Sequence, residues 1–234
     1  MATTDNQSRT RHGAFFGRRK GHKLRPRQAD LIARLLPKLA LDLTQSPPKD
    51  LRTLFPVAVA EVRLEIGFGG AEHLLHEAKS HPDIGFLGCE PYQNGMARAL
   101  AAIDDERLNN IRLHYGDALD LIEWLPDARL ARIDILYPDP WPKRRHWKRR
   151  FVSDQRVAIL GRILRPGGEL RFATDIASYA EWALLRFVRS PLLIWTAERA
   201  DDWRKPWSGF PGTRYEAKAL AEGARPTYLL FRRA

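Results

Sequence analysis

The sequence predicts an α/β fold: a mostly parallel sheet covered by helices on both faces and finished by an antiparallel C-terminal strand. Three observations carry this. From Glu61 onward, short apolar runs alternate with stretches of helical spacing, the pattern of βαβ units. Glycines or single carboxylates follow the strand runs, where ligands sit in such sheets. The last apolar run, Thr227 to Arg232, follows a Gly/Pro-rich stretch and has no helix after it, so it is expected as an antiparallel strand in an edge hairpin.

Each element has its own signal. Residues 1–27 are polar and basic and lack apolar periodicity; they read as a flexible basic arm. Leu31, Ile32, Leu35, Leu36 and Leu39 form one helical stripe, which Pro37 should kink or interrupt. Ser46-Pro47-Pro48 marks a turn or linker, so residues 28–60 read as a helical extension and linker before a domain spanning 61–234. Strands are expected at Val62–Ile66, Gly85–Cys89, Ile111–Tyr115, Arg132–Tyr137 and Glu169–Thr174. Helices are expected at Ala71–Lys79, Tyr92–Ile103, near Ala118–Trp124, at Phe151–Leu164 and at Ala177–Val188.

Composition narrows the class. The 234 residues are 44% hydrophobic and 29% charged, which is globular. No apolar run approaches the roughly 18 residues of a spanning helix, and the polar start is not that of a secretory signal. No membrane association is expected. A single cysteine, Cys89, excludes an intrachain disulfide and any multi-cysteine metal site; a reduced, cytoplasmic setting is the default. His73, His76 and His81 lie near one helix without paired acids or cysteines, so no metal is expected. The net charge is +11, yet Arg9–Arg27 holds eight basic residues and no acid, and Trp141–Phe151 holds six more. Together these windows carry +14 and leave the rest of the chain at −3. Interleaved Phe15, Phe16, Trp141 and Trp147 favour a nucleic acid partner, because flat rings stack on bases.

The strand ends carry the candidate chemistry. Gly67-Phe68-Gly69-Gly70 follows the first strand, Glu90 the second, Asp117 the third and Asp139 the fourth. A glycine turn followed about 20 residues later by an acid suits a ribose-bearing cofactor; NAD, FAD and S-adenosylmethionine all remain compatible. Three features favour S-adenosylmethionine. The third glycine of the pyrophosphate fingerprint is replaced by Ala71, and Glu65 stands just before the turn, where it would repel a pyrophosphate and attract a cation. Asp117 could accept from an adenine amine. Leu164–Leu170 is a helix–turn–strand junction of a kind common in class I methyltransferases.

The sharpest signal is Tyr137-Pro138-Asp139-Pro140-Trp141-Pro142-Lys143-Arg144 and the basic run after it. Prolines around one acid stiffen the backbone that carries it. With Leu64–Gly69, Gly88-Cys89-Glu90, Gly116-Asp117-Ala118, Phe172–Asp175 and Thr213–Glu216, the chain resembles the bacterial tRNA (guanine-N7-)-methyltransferase family over roughly residues 61–234. The resemblance implies a Rossmann-like class I fold with a seven-stranded, mostly parallel sheet, S-adenosyl-L-methionine as cofactor and tRNA as partner, with methylation of a variable-loop guanine at N7. It places Glu65, Gly67, Gly69, Glu90, Asp117, Ala118 and Asp139 at the cofactor. It places Lys143, Asp175, Thr213, Arg214, Tyr215 and Glu216 at the substrate, and Arg145, His146, Trp147, Lys148, Arg149 and Arg150 at the RNA. Arg214 and Tyr215 stand where the family usually has Lys and Phe, and Gly70-Ala71 departs from its glycine pattern. No obligate protein partner is evident. Guanine N7 carries a lone pair and no proton, so no base is needed there; Asp139 is the candidate to stabilise the charge that methylation leaves. Asp175 is alternatively a cap for the helix starting near Ile176. The competing classes are a methyltransferase for another RNA, a nicotinamide dehydrogenase, and a non-catalytic RNA-binding module on the same fold.

Overall fold

The computed structural model describes residue 17 and residues 19–234. Arg9, Arg11, Phe15, Phe16 and Arg18 of the first basic window lie outside the described residues. In chain order the elements are α1 (Pro26–Arg34), α2 (Leu36–Leu39), β1 (Glu61–Ile66), α3 (Glu72–Ser80), β2 (Ile84–Cys89), α4 (Gln93–Glu106), β3 (Ile111–His114), α5 (Ala118–Trp124), β4 (Leu130–Leu136), α6 (Asp154–Ile163), β5 (Leu164–Thr174), α7 (Ala177–Arg189), β6 (Leu193–Trp195), α8 (Asp201–Arg204), α9 (Arg214–Ala221) and β7 (Thr227–Arg233).

The strands form one seven-stranded sheet in the order β3-β2-β1-β4-β5-β7-β6. β1 pairs in parallel with β2 and β4, and β7 pairs antiparallel with both β5 and β6. The expected antiparallel pair at the sheet edge is present: β7 pairs with β6, and β6, a three-residue strand with no sequence counterpart above, is the edge itself while β7 lies one strand inside it. Tyr228, Leu229 and Phe231 are all buried, and that apolar content is why β7 takes an interior position. β5 begins earlier than expected because Leu164 pairs with Leu130 before the register resumes at Glu169 with Arg132; Arg165–Gly168 bulge out between, with Gly167 in the left-handed region.

The two faces of the sheet differ. Val62, Leu64 and Ile66 of β1 join Leu87, Ile133, Ile135, Leu160 and Phe172 in a dry core under α5, α6 and α7. The opposite face of β1 and β4 is ionic. Arg63 bonds Glu61 at 2.9 Å and Glu77 of α3 at 3.4 Å, Arg132 bonds Asp134 at 2.8 Å and also Glu77, and Glu65 meets His73 of α3 at 2.7 Å. Buried charges persist only when paired, so this face fixes α3 by ion pairs. Toward β2 and β3 the same face becomes apolar again through Phe86, Leu74, Met96 and Leu100, with Leu31 of α1 outside α4.

The stretch before β1 packs onto the sheet. The stripe is split where expected, with α1 ending at Arg34 and Pro37 inside the first turn of α2, where a missing N–H costs nothing. Leu51, Phe55 and Val59 enter the dry core. Helix starts follow local chemistry: Asp117 caps Leu119 N at 3.0 Å, Ser153 caps Arg156 N at 3.4 Å and Thr213 caps Glu216 N at 3.1 Å.

Candidate active site

The strand order reverses between β1 and β4, and ligands in open α/β sheets sit outside the carboxyl ends at such a point. A cavity of about 480 Å³ opens there. Glu65, Gly67, Gly69, Glu90, Asp117, Ala118 and Asp139 all line it, from four different strand ends. Thr213, Arg214 and Tyr215 line its other side.

The turn after β1 is built for close approach. Gly67 and Gly69 have φ of 73° and 55°, in the left-handed region that favours glycine. A β-carbon on Gly69 would stand 3.3 Å from the Tyr215 ring. Ala71 has φ of 68° and stands at the start of α3 in the same region, a conformation strained for alanine that glycine adopts freely. Glu90 locks this turn: its carboxylate accepts from Gly69 N at 2.7 Å and from Tyr92 N at 2.8 Å. Two of its roughly four lone-pair sites stay open toward the cavity. Burial pushes the Glu90 carboxyl above its ordinary value, against the two backbone N–H bonds, and the charges of Asp139 and Glu65 add to the rise. Burial likewise raises Asp139 and Glu65. Burial is the main cause of all three shifts, and a cation placed beside these carboxylates would favour their charged forms.

The loop after β4 stores strain. Tyr137 and Trp141, which bracket Pro138-Asp139-Pro140, have φ of 49° and 43°, values that non-glycine residues adopt only when their surroundings over-determine them. Arg150 supplies that constraint. It is 1% exposed and donates to Pro140 O at 2.9 Å, Ser178 O at 2.8 Å and Ser178 Oγ at 3.1 Å. Its guanidinium lies over the rings of Trp147 and Tyr179 at 4.5 and 4.7 Å. The expectation of Arg150 as an RNA contact is therefore corrected: the side chain is enclosed and anchors the Asp139 loop.

The other substrate and RNA residues divide. Arg144–Arg149 form a short 3-10 helix beside the cavity mouth, with Arg145 and Lys148 exposed. Arg149 lines the cavity and lies over Trp141 at 4.9 Å. Trp147 is half-buried against Trp182, and partial burial with the surrounding cations holds His146 below the ordinary histidine value. Lys143 and Asp175 do not line the cavity. Asp175 does not cap α7; Thr174 Oγ1 accepts from Ile176 N instead, at 3.3 Å. Glu216 is buried and accepts from the Tyr228 hydroxyl, so it faces the sheet rather than a ligand. Trp207 and Phe210 pack on Tyr228, and the Phe210 ring lies 5.6 Å from that of His73.

His73 is the site residue that the sequence did not single out. It is 2% exposed, lines the cavity, and its Nδ1 meets Glu65. Burial opposes charge on the ring, but the Glu65 carboxylate outweighs it and raises the imidazole above its ordinary value. Its one sequence signal is its place in the first turn of the helix after the glycine turn. Cys89 is a buried strand residue whose thiol burial pushes well up, which fits a packing role. Among the described residues no group of side chains could hold a metal ion.

Residues 59–229 match the methyltransferase family model Methyltransf_4, described as "Putative methyltransferase". The chain is 58% identical over 97% of its length to a tRNA (guanine-N(7)-)-methyltransferase of Rhodopseudomonas palustris, covering 89% of that protein. It is 59% identical over 94% of its length to one of Nitrobacter hamburgensis, covering 87%. Among solved structures, the 16S rRNA methyltransferase KamB aligns at a TM-score of 0.54 with 13% identity, over 81% of this chain and 95% of that one. The [4+2]-cyclase SpnF aligns at 0.52 with 14% identity, over 75% and 76%. These two show the shared fold alone.

Proposed function

The chain belongs to the tRNA (guanine-N7-)-methyltransferase family, and from that premise we propose how its own residues bind the methyl donor and the guanine. The observation that carries the reading is the meeting of Glu65, Glu90, Asp117 and Asp139 in one cavity beside the exposed cations of the Arg144–Arg149 turn.

The donor set fits S-adenosyl-L-methionine. Raised carboxyls around open space suit a ligand with an ammonium and a sulfonium. When bound, that cofactor supplies a methyl group on a positively charged sulfur. Gly67 and Gly69 let the backbone approach it, Glu90 accepts from ribose hydroxyls through its two open lone-pair sites, and Asp117 accepts from the adenine amine beside Ala118. Glu65 pairs with His73, which fixes its orientation at the cavity wall.

Guanine N7 has its lone pair in the ring plane and carries no proton, so no side chain acts as its base. The chain aligns the base and excludes water. Asp139, on the strained loop that Arg150 anchors, accepts from the guanine N1–H and N2–H₂ edge and stabilises the positive charge that methylation leaves on the ring. Thr213, Arg214 and Tyr215 form the substrate wall. Lys143 and Asp175 act from outside the cavity lining, on the flanking nucleotides, and Glu216 acts by holding α9 to Tyr228. Arg145 and Lys148 meet RNA phosphates. We place the enzyme in the cytoplasm with its substrate; among the described residues no helix is long and apolar enough to cross a membrane.

The test is nucleoside mass spectrometry of unmodified tRNA incubated with methyl-labelled S-adenosyl-L-methionine. Labelled 7-methylguanosine is expected. Unlabelled tRNA, or label on another atom, ends the proposal.

A further inference from the structure

A second concavity, of about 380 Å³, lies outside the reaction cavity and is lined by His22, Lys23, Arg25, Gln28, Asn94 and Arg98. No acidic side chain lines it. The basic residues of the neighbouring helix surface are neutralised: Arg27 pairs with Asp104 and Asp105, and Arg34 with Asp30 and Asp104. Lys23, Arg25 and Arg98 have no carboxylate partner among the described residues. Three unpaired cations around one hollow repel each other unless an anion sits among them.

The hollow is also shaped in advance. Gln93 N donates to Arg19 O at 2.9 Å. Asn94 accepts from Gly21 N at 3.0 Å and donates to His22 O at 2.8 Å. Gln28 accepts from Arg25 N at 3.0 Å. These bonds hold residues 19–25 as a strap across the start of α4, so this part of the expected arm is tied down. A β-carbon at Gly21 would collide with the Tyr92 hydroxyl and the Asn94 amide; the strap therefore lies directly on Tyr92. Tyr92 and Gly17 both line the reaction cavity. The strap thus lies against Tyr92, a lining residue of the reaction cavity, and itself contributes His22, Lys23 and Arg25 to the basic hollow.

We propose that the basic hollow is a binding site for a backbone phosphate of the RNA substrate, on the opposite side of the strap from the base being methylated. The inference rests on the reading of the substrate as RNA. A phosphodiester supplies the acceptor oxygens that Lys23, Arg25 and Arg98 lack. It positions the strand without reading its sequence.

The experiment compares the full chain with the double variant Lys23→Ala/Arg98→Ala and with a control, Lys49→Ala/Arg189→Ala, that removes the same charge from exposed positions elsewhere. Affinity for unmodified tRNA is measured across a salt series, and affinity for S-adenosyl-L-methionine by calorimetry. The site variant is expected to lose affinity for tRNA and to flatten the log–log salt slope by about 1, the effect of one lost phosphate contact. The control slope and both cofactor affinities should match the unsubstituted chain. A site variant with an unchanged slope, or one no flatter than the control, overturns the proposal. Equal loss of cofactor affinity also overturns it, since the residues would then merely brace Tyr92 at the reaction cavity. If the unsubstituted chain binds tRNA with the expected slope but yields no 7-methylguanosine, the proposed activity fails while the phosphate site stands.

Discussion

Replacing Arg150 by methionine keeps most of the side-chain stem among Trp147, Tyr179 and Trp182 but removes the guanidinium. Three hydrogen bonds vanish, leaving Pro140 O and Ser178 O with lost partners. At about 1–1.5 kcal/mol net each, that is about 3–5 kcal/mol. Relaxation of one of the two left-handed residues, Tyr137 or Trp141, returns about 1–3 kcal/mol, so a net loss of about 2 kcal/mol is expected. For a chain of this size that lowers Tm by about 4–8 °C. Because Asp139 sits between the two strained residues, kcat should fall by about 10- to 100-fold, the scale of a misplaced catalytic group. The salt dependence of tRNA binding should not change, since an enclosed side chain contacts no phosphate. Calorimetric melting, steady-state kinetics and a salt series test this together. A variant with full Tm, unchanged kcat and a salt slope flattened by about 1 would refute the anchoring role and restore the RNA contact.

Three further outcomes follow from the geometry. Ala71→Gly should leave the urea midpoint nearly unchanged, because relief of a left-handed alanine, about 1–2 kcal/mol, offsets a lost buried methyl and added chain freedom of similar size; Ala78→Gly, equally buried in the same helix, has no such relief and should cost about 1–2 kcal/mol. Affinity for S-adenosyl-L-methionine should fall as pH drops through the raised values of Glu90 and Asp139, above the usual carboxylate range of about 3.9–4.3, because a cation needs them charged. Stability runs the other way: a raised folded value means tighter proton binding when folded, so that contribution is present below the unfolded value and lost as pH rises through the folded one. Calorimetric titrations showing no affinity loss above the ordinary range would remove both acids from the cofactor site. Tyr228→Phe takes away the hydroxyl that Glu216 accepts from and should cost about 1–3 kcal/mol in urea unfolding; no change would mean that Glu216 faces the ligand after all.

The strands and helices from Glu61 to Arg189 were legible because apolar runs at strand and helix spacing recur there. The cavity was legible for a related reason: Glu90, Asp117 and Asp139 follow the ends of β2, β3 and β4, and topology alone carries them to one edge. What stayed hidden depends on contacts between distant residues. Arg63, Arg132 and Asp134 read as interruptions of apolar strands until α3 brings Glu77 over them, and the pairing of Glu65 with His73 shows only once α3 is in place. Arg150 is one cation in a run of six, and only Ser178 and the rings of Tyr179 and Trp182 separate it from its exposed neighbours. β6 has three residues, too few for any period, so the strand that lies outside β7 was not visible in the sequence.

The interior position of β7 has a consequence for biosynthesis. Strands β1 to β5 can pair as they leave the ribosome, since each neighbour in that part of the sheet precedes residue 175. β5 then waits, its outer hydrogen-bonding groups bare, while more than fifty further residues are made. Only when Thr227–Arg233 emerges do Leu229 and Phe231 close over Phe172 and Phe187. An unpaired strand edge is a template for association with other chains. Between the synthesis of β5 and that of β7 the bare β5 edge is therefore such a template, and it is removed only when β7 pairs with it.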